Sequence, residues 1–436
     1  MQSHQSMGIK IFVHVFGCRS NLCEGEYIAG ALKSNGAEIT ENINDDFNAA
    51  VIISCSVTQE AGKKCRQLVK RVRKILGSEG ILAVCGCWSQ SLDSNMAEDL
   101  GINILSGSKG KNILPDILLN AIKNHDTKFQ DLREKNIFDV SEWEELEITQ
   151  PVMHSRAFIK IQDGCDHFCT YCIIPFLRGR PVSRPVENII SEIKRLIDNG
   201  CKEIIFTGIH LGIYGRDINS SLADLIKSVS KIKSLKRLRL GSLEPFCLDE
   251  NLINALSDCE MFCHHLHLPL QSGDDEILSS MRRGYKAKEF LNVCYNARKK
   301  ISDRIHISSD ILVGFPNESE NAFNNTLKIM REANLGRVHV FPYSVRNGTL
   351  AAKMENQIPH ETKIFRTSEA IKLGHELYEN YAKSFVNHDV EILIEKNNKG
   401  HTRNYIDAYC EGNENEIIKA KAVKYVDNGL ECLRRN

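Results

Sequence analysis

Short apolar runs alternate with amphipathic stretches along most of the chain. In the first third the runs are IKIFVHVF (9–16), AAVIIS (49–54) and ILAVCG (81–86), β-branched and punctuated by glycine or polar residues. Such runs suit strands buried on both faces of a parallel sheet. Helical spacing between them predicts helices over about 21–35 and 59–76. The segment 8–124 therefore reads as a small doubly wound α/β domain. Residues 125–155 are charged and weakly periodic, and read as a linker.

From 156 the alternation restarts. Strands are expected at AFIKIQ (157–162), EIIFTG (203–208), RLRLGS (237–242), HHLHLP (264–269), IHISSDILVGF (305–315) and RVHVFPYS (337–344). Segments such as VENIISEIKRLIDNG (186–200) carry i, i+3, i+4 apolar spacing and end in glycine. Six β/α units fall short of the eight of a closed barrel, so 156–383 is expected to form a partial (β/α)6 barrel. From 384 to 436 the pattern changes to short strands separated by Asn/Gly turns, the size of a small oligonucleotide-binding β-barrel.

Composition narrows the function classes. Lys+Arg 56 against Asp+Glu 56 over 436 residues leaves no global positive field, so nucleic-acid binding has to rely on local basic patches. The opening MQSHQSMGIK lacks the apolar core of a secretory signal. No apolar run approaches the ~20 residues needed to span a bilayer, and a cytoplasmic protein without a membrane partner is expected. Sixteen cysteines then need an explanation other than a disulfide framework, since the cytosol keeps thiols reduced. Cys201, Cys247, Cys259, Cys263, Cys294 and Cys410 read as small buried hydrophobes.

The remaining cysteines carry chemistry. In DGCDHFCTYCIIPFLRGRPVSRP (163–185), three residues separate Cys165 from Cys169 and two separate Cys169 from Cys172. One loop with that spacing can wrap a cubane and ligate three of its irons. The fourth iron stays open to chelate S-adenosylmethionine (SAM) and deliver an electron to its sulfonium. The loop follows the first barrel strand, at the face where barrel active sites lie. A zinc site and a structural cluster are the competing readings; zinc wants a fourth Cys or His, and His167 lies inside the loop.

A second constellation lies in the first domain. Cys18, Cys55 and Cys87 each fall at the end of a strand run, in FGC, ISC and CGC. Ligands of parallel α/β sheets collect at the carboxyl ends of the strands. Three separated thiols could meet there and hold a second cluster, or they could be three unrelated buried thiols. Cys23 and Cys85 compete for these roles. Cys87 is preferred because Gly86-Cys87 repeats Gly17-Cys18, glycine freeing the backbone to approach a cluster.

FGCRSN, SCSVTQEA, GCWSQ and GCDHFCTYCIIPFLRGR, with LPLQSGDDEIL, DILVGFPNE, FPYSVRNGT and GHTRNYIDAYCEG, resemble in order the motifs of the radical SAM methylthiotransferase family. The TYCIIP run and the Val57-Thr58 pair are most similar to the subfamily acting on N6-threonylcarbamoyladenosine beside the tRNA anticodon. The resemblance implies two [4Fe-4S] clusters, one on Cys165, Cys169 and Cys172 and one on Cys18, Cys55 and Cys87. It also implies a C-terminal RNA-binding barrel of the TRAM type. Partners would be the tRNA anticodon stem-loop, a sulfur donor, and an electron donor of flavodoxin or ferredoxin type. The family reaction inserts sulfur at carbon 2 of adenine and methylates it, using two SAM molecules. Two departures stand out: Ile53-Ser54 replaces an Asn-Thr pair, and Trp88 replaces a tyrosine.

Strand-end residues Thr207, Gly208, Ser242, Glu244, Gln271 and Ser272 are expected to frame SAM, although TGIH departs from the GGE pattern of other radical SAM proteins. For RNA phosphates the candidates are Lys63, Lys64, Arg66, Lys70, Arg71, Arg73 and Lys74 on one predicted helix, and Arg178, Arg180 and Arg184 after the cluster loop. Arg403, Asn404 and Tyr405 suit backbone contact and base stacking in the last barrel. Other readings are an enzyme acting on isopentenyladenosine or on a ribosomal protein, and a non-catalytic iron–sulfur RNA-binding or redox-sensing protein.

Overall fold

A computed structural model describes residues 8–148 and 156–435. The chain divides into two compact units. The first holds the described residues before 149 together with Phe158–His167 and Ile173–Arg184; the second holds residues 156–157, Phe168–Cys172 and the described residues from Pro185 onward.

The first unit is built on a six-stranded sheet. Its strands are β1 (Lys10–Val15), β2 (Glu38–Thr40), β3 (Ala49–Ser54), β4 (Ile81–Gly86), β5 (Ile104–Leu105) and β6 (Gln130–Asp131), in the order β2-β1-β3-β4-β5-β6. Every pairing is parallel. The helices are α1 (Arg19–Ser34), α2 (Gln59–Leu76), α3 (Cys87–Gln90), α4 (Ser94–Asp99) and α5 (Leu114–Asn124). Alternate strand residues feed two cores, as the period of a strand dictates. Ile11, Val13, Val51 and Ile53 pack with Ile28 and Leu32 of α1 and Leu114 and Leu118 of α5. Phe12, Ile52 and Val84 pack with Val69 and Val72 of α2 and Ala97 of α4. The sheet is therefore covered on both faces, as expected of a doubly wound domain. It also runs past 124, because β6 joins β5 as an edge strand; residues 149–155 of the expected linker lie outside the described residues.

Strand order reverses between β1 and β3. The chain leaves β1 for the edge strand β2 and returns on the other side of β1 as β3. Such a reversal opens a crevice at the carboxyl ends of the strands, the usual ligand position in open α/β sheets.

Next come β7 (Ala157–Lys160), β8 (Gln162–Asp163), α6 (Ile174–Arg178) and β9 (Val182–Ser183), with β8 antiparallel to β9. The expected strand at 157–162 thus breaks at Ile161.

The second unit alternates α7 (Val186–Asp198), β10 (Glu203–Thr207), α8 (Leu222–Val229), β11 (Arg237–Leu240), α9 (Glu250–Ser257), β12 (His265–His267), α10 (Asp275–Ser280), α11 (Ala287–Lys300), β13 (His306–Val313), α12 (Glu320–Glu332) and β14 (Arg337–Pro342). Strands β10 and β11 pair in parallel, as do β12, β13 and β14. Bridges Leu238–Phe262 and Ser242–His267 link the two groups into one row. In chain order β7 precedes these five strands.

Helix α13 (His360–Lys383) leads into a closed barrel of β15 (Asp389–Ile394), β16 (Lys399–Thr402), β17 (Asp407–Tyr409), β18 (Ile417–Val426) and β19 (Gly429–Arg434). Its core of Ile392, Ile406, Ala420 and Leu430 takes in Tyr378 and Phe385 from the end of α13 and the turn after it. The barrel is fastened to the central strands by buried charge. Arg237 Nη2 donates to the Thr402 carbonyl at 2.9 Å and Arg239 Nη2 to the same carbonyl at 2.7 Å. Glu203 accepts ion pairs from Arg237 and Arg239 at 2.7 and 2.8 Å, and all three side chains are almost wholly buried.

Candidate cluster-binding sites

In the first unit, Cys18 follows β1, Cys55 follows β3 and Cys87 follows β4, so the three thiols stand along the carboxyl edge that includes the reversal. Their sulfurs are close enough for Cys55 to feel both Cys18 and Cys87 electrostatically. Gly17 and Gly86 have φ of +102° and +104°. A Cβ on Gly17 would lie 2.7 Å from Cys55 Sγ, and one on Gly86 would lie 2.4 Å from the Ser54 carbonyl. Both glycines are therefore obligatory to the way these strand ends close on one another.

Cys18 is exposed, whereas Cys55 and Cys87 are buried. Burial pushes the Cys55 thiol up to about 11 and raises Cys87, with Arg178 opposing the rise. A bound iron would supply the positive charge that makes thiolates of them. The competitors point elsewhere. Cys85 is part of the hydrophobic core with Ile53 and Ile104, burial raising its thiol to about 12; Cys23 is buried in α1. Cys65, which sequence reading passed over, sits under the triad and takes a bond from the Cys55 amide at 3.4 Å. Ser54 spends its hydroxyl on the Cys85 carbonyl at 2.6 Å, and Trp88 packs in the core against α2 with Cys65.

The wall beside Cys87 consists of charges. Arg178 Nε donates to Cys87 Sγ at 3.3 Å, and the same guanidinium reaches Glu24, Asp163 and Asn21. Lys160 pairs with Glu24 and Asp163, Lys109 with Asp163 and Lys111 with Glu24, all at 2.8–3.2 Å and all buried. Burial alone would raise the two carboxyls, but Arg178 and the lysines hold both well below the usual carboxylate range. Asn21 ties the strand ends, donating to the Phe16 carbonyl at 2.6 Å and the Ser54 carbonyl at 3.1 Å. Of this network only Arg178 stands out in the sequence, and there as a phosphate contact. It is fully buried, as is Arg184, which pairs with Glu145, so both corrections follow from burial; Arg180 is exposed.

Cys165, Cys169 and Cys172 are all half-buried on their loop. In the second unit Thr170 pins the loop, its hydroxyl donating to the Ser280 carbonyl at 2.9 Å while its carbonyl accepts from Ala351. Arg283 Nη1 points at Cys169 Sγ from 3.3 Å, and its Nη2 is paired with Glu244. Arg283 and its neighbour Tyr285, which bonds to the Pro269 and Leu270 carbonyls, carry no signal in the sequence that marks them.

The residues expected around SAM divide. Thr207, Gly208, Ser242 and Gln271 all lie at or just beyond the carboxyl ends of β10, β11 and β12, and Gln271 adopts φ +64° there. Glu244 is held by Arg283. Ser272 is fully buried with its hydroxyl 3.3 Å from that of Thr326, so it supports the turn from beneath.

Two RNA expectations also change. On α2, Lys63, Lys64, Arg66, Lys70, Arg71 and Lys74 are exposed, but Arg73 closes the helix end by donating to the Gly77 and Gly80 carbonyls and to Asn103. In the last barrel Arg403 donates to the Phe262 carbonyl and Asn404 to that of Arg304. The Tyr405 ring stacks on His401 at 4.9 Å and lies under Arg239 at 4.8 Å. These three residues dock the barrel, leaving Tyr405 no free face for a base.

Among the described residues no three His, Cys, Asp or Glu side chains stand close enough to hold a single metal ion. A cubane instead spreads its thiolates over separate irons. No helix among them is long and apolar enough to cross a membrane.

A doubly wound parallel sheet followed by a β/α alternation that opens on a three-cysteine loop is the architecture of a radical SAM protein. Family models agree: residues 159–330 match the radical SAM superfamily, and 10–107 match the uncharacterized protein family UPF0004. The threonylcarbamoyladenosine tRNA methylthiotransferase MtaB of Bacillus subtilis is 34% identical, covering 95% of this chain and 93% of that protein. That of Rickettsia prowazekii is 34% identical over 96% of each. A tRNA-2-methylthio-N(6)-dimethylallyladenosine synthase of Clostridium botulinum is also 34% identical, over 95% of this chain and 93% of its own. The chain belongs to the radical SAM methylthiotransferase family and is a transferase, with SAM and [4Fe-4S] clusters as its cofactors. A solved radical SAM methyltransferase, TsrM of Kitasatospora setae with cobalamin and a [4Fe-4S] cluster bound, shares the fold, at TM-score 0.57 and 14% identity over 79% of this chain and 74% of its own.

Proposed function

We propose that this enzyme adds a methylthio group to carbon 2 of N6-threonylcarbamoyladenosine in the tRNA anticodon stem-loop. The observation that carries the sulfur chemistry is the meeting of Cys18, Cys55 and Cys87 at the carboxyl edge of the first sheet. Generating an adenosyl radical takes one cluster; a second triad, three ligands for four irons, would leave one iron open to hold the sulfur to be inserted. The base assignment rests on the two threonylcarbamoyladenosine relatives, which match nearly end to end. The dimethylallyladenosine relatives are as similar in identity, so isopentenyladenosine is the second reading.

On this reading Cys165, Cys169 and Cys172 hold the cluster that, when bound, supplies one electron to SAM. Thr207, Gly208, Ser242 and Gln271 line the SAM side, and Arg283 with Glu244 orders the loop beneath. A sulfur donor and a flavodoxin- or ferredoxin-like electron donor complete the cycle in the cytoplasm. The terminal barrel serves as a TRAM-type RNA grip. Its outward cations include Lys419 and Lys421 of β18, which alternate with the buried Ile418, Ala420 and Ala422. The exposed basic face of α2 supplies further phosphate contacts.

Nucleoside analysis of tRNA from a deletion strain tests the substrate. Loss of the 2-methylthio form of threonylcarbamoyladenosine is expected; loss of the isopentenyl counterpart alone would transfer the assignment to the second reading. In vitro, replacing Cys18, Cys55 and Cys87 with Ala should leave reductive SAM cleavage and abolish methylthiolation, while replacing the loop triad should abolish both.

A further inference from the structure

Arg178 is fully buried, and all five of its N–H donors have acceptors. Nη1 donates to Glu24 Oε1 at 2.7 Å and to Asp163 Oδ1 at 3.2 Å; Nη2 donates to Asn21 Oδ1 at 2.7 Å and to Glu24 Oε2 at 3.4 Å. The fifth acceptor is Cys87 Sγ, 3.3 Å from Nε. A guanidinium gripped at four points cannot turn away from the fifth. A neutral thiol is a weak acceptor for a buried cation, whereas a thiolate is a strong one.

The charge count points the same way. Glu24 and Asp163 take ion pairs from Lys109, Lys111, Lys160 and Arg178. With Glu144 beside them, three carboxylates face four cations. Glu144, the next carboxylate, is bonded to the amides of Lys111 and Asn112. Burying excess positive charge is costly unless an anion faces it, and the remaining acceptor of Arg178, Cys87 Sγ, becomes that anion once it ligates iron.

We infer that Arg178 is a positioning residue for the second cluster: its Nε–H hydrogen-bonds the Cys87 thiolate and sets the electrostatic environment in which that cluster is reduced. This rests on Cys18, Cys55 and Cys87 being its ligands. A merely structural Arg178 would tie α1 to the segment around Asp163 and leave the cluster's spectroscopy unchanged.

The test uses the full chain with Cys165, Cys169 and Cys172 replaced by Ala, reconstituted with iron and sulfide and reduced with dithionite, so that the second cluster alone is paramagnetic. With 15N-arginine incorporated, pulsed electron paramagnetic resonance should show a 15N hyperfine coupling that 15N-lysine labelling does not give. Arg178→Lys should lose that coupling, and Arg178→Gln should shift the midpoint potential to more negative values because a positive charge is removed. A loaded, reduced cluster without arginine coupling overturns the inference, as does a coupling that persists in Arg178→Lys. Should either variant fail to fold, the labelled parent decides alone. A parent that binds no iron overturns the ligand assignment itself, and the inference with it.

Discussion

The Asn21 side-chain amide donates to the Ser54 carbonyl at 3.1 Å, bridging the ends of β1 and β3 directly behind Cys18 and Cys55. The same amide group holds the Phe16 carbonyl, and its oxygen receives Arg178. One side chain therefore sets the spacing of two thiols and the aim of the residue facing the third. Asn21→Ala is expected to lose about 2 kcal/mol in chemical denaturation, because buried carbonyls lose their donor. Iron content should drop by about the share of one cluster while the loop-triad cluster remains. Unchanged iron content would mean that strand ends alone fix the triad.

Cys85 and Cys87 are two residues apart and face different surroundings, one the hydrophobic core and the other Arg178. Cys85→Ala should cost about 1 kcal/mol through a small cavity and leave iron per chain unchanged. Cys87→Ala should halve the iron. The reverse outcome would show that the core-facing thiol is the ligand.

Glu203 gives a pH prediction. Burial alone would raise its carboxyl, but Arg239, Arg237 and Arg156 hold it down to about 2, below its ordinary value near 4.5. A carboxyl whose folded value is depressed stabilises the protein above the unfolded value and loses that contribution as pH falls towards the folded one. Between pH 4.5 and 2 the chain should therefore lose on the order of 3 kcal/mol from this group alone. Glu203→Gln should be less stable at pH 7 and should show a shallower acid limb in denaturant titrations. Parallel acid limbs would refute the assignment.

How far the sequence reveals all this depends on where each feature's cause lies. Strands β1, β3 and β4 are read within a residue or so because both of their faces are buried and no alternation blurs the run. Strands β5 and β6 have two residues each, too short for any periodicity. That Cys18, Cys55 and Cys87 follow strand ends is legible because the strands before them are. Arg178 and Arg184 look like surface cations because their partners are remote; Glu24 is 154 positions from Arg178. One overlooked signal is local: Glu24 shares the i, i+4, i+8 stripe of α1 with Ile28 and Leu32, so a carboxylate sits on the face that packs inward. Arg237 and Arg239 alternate with Leu238 and Leu240 in β11, and all four are buried. Likewise Tyr405 offers an aromatic ring, and only its tertiary setting shows that His401 and Arg239 already occupy it.

RNA binding should follow exposure rather than charge alone. Reversing Lys63, Lys64, Lys70, Arg71 and Lys74 to Glu should weaken tRNA binding and flatten its salt dependence, by about one unit of slope for each phosphate no longer neutralised. Arg73→Ala is the control. It should lower stability by about 1 kcal/mol, because its donors close the helix end, and leave the salt slope unchanged.

In the terminal barrel, Lys419→Ala with Lys421→Ala should reduce tRNA affinity without a change in melting temperature. Tyr405→Ala should do the opposite, costing about 2 kcal/mol of stability through loss of its stack and of the guanidinium over its ring. If Tyr405→Ala weakens tRNA binding at unchanged stability, the ring is available to a base after all.

The clasp between Arg237, Arg239 and the Thr402 carbonyl also imposes an order on biosynthesis. Strands β10 and β11 leave the ribosome well ahead of their acceptor, Arg237 and Thr402 being 165 positions apart. Folding during synthesis proceeds from the N-terminus. Until β16 emerges, two guanidiniums destined for a dry interface have to stay hydrated. The terminal barrel thus supplies the last acceptor for two guanidiniums made well before it.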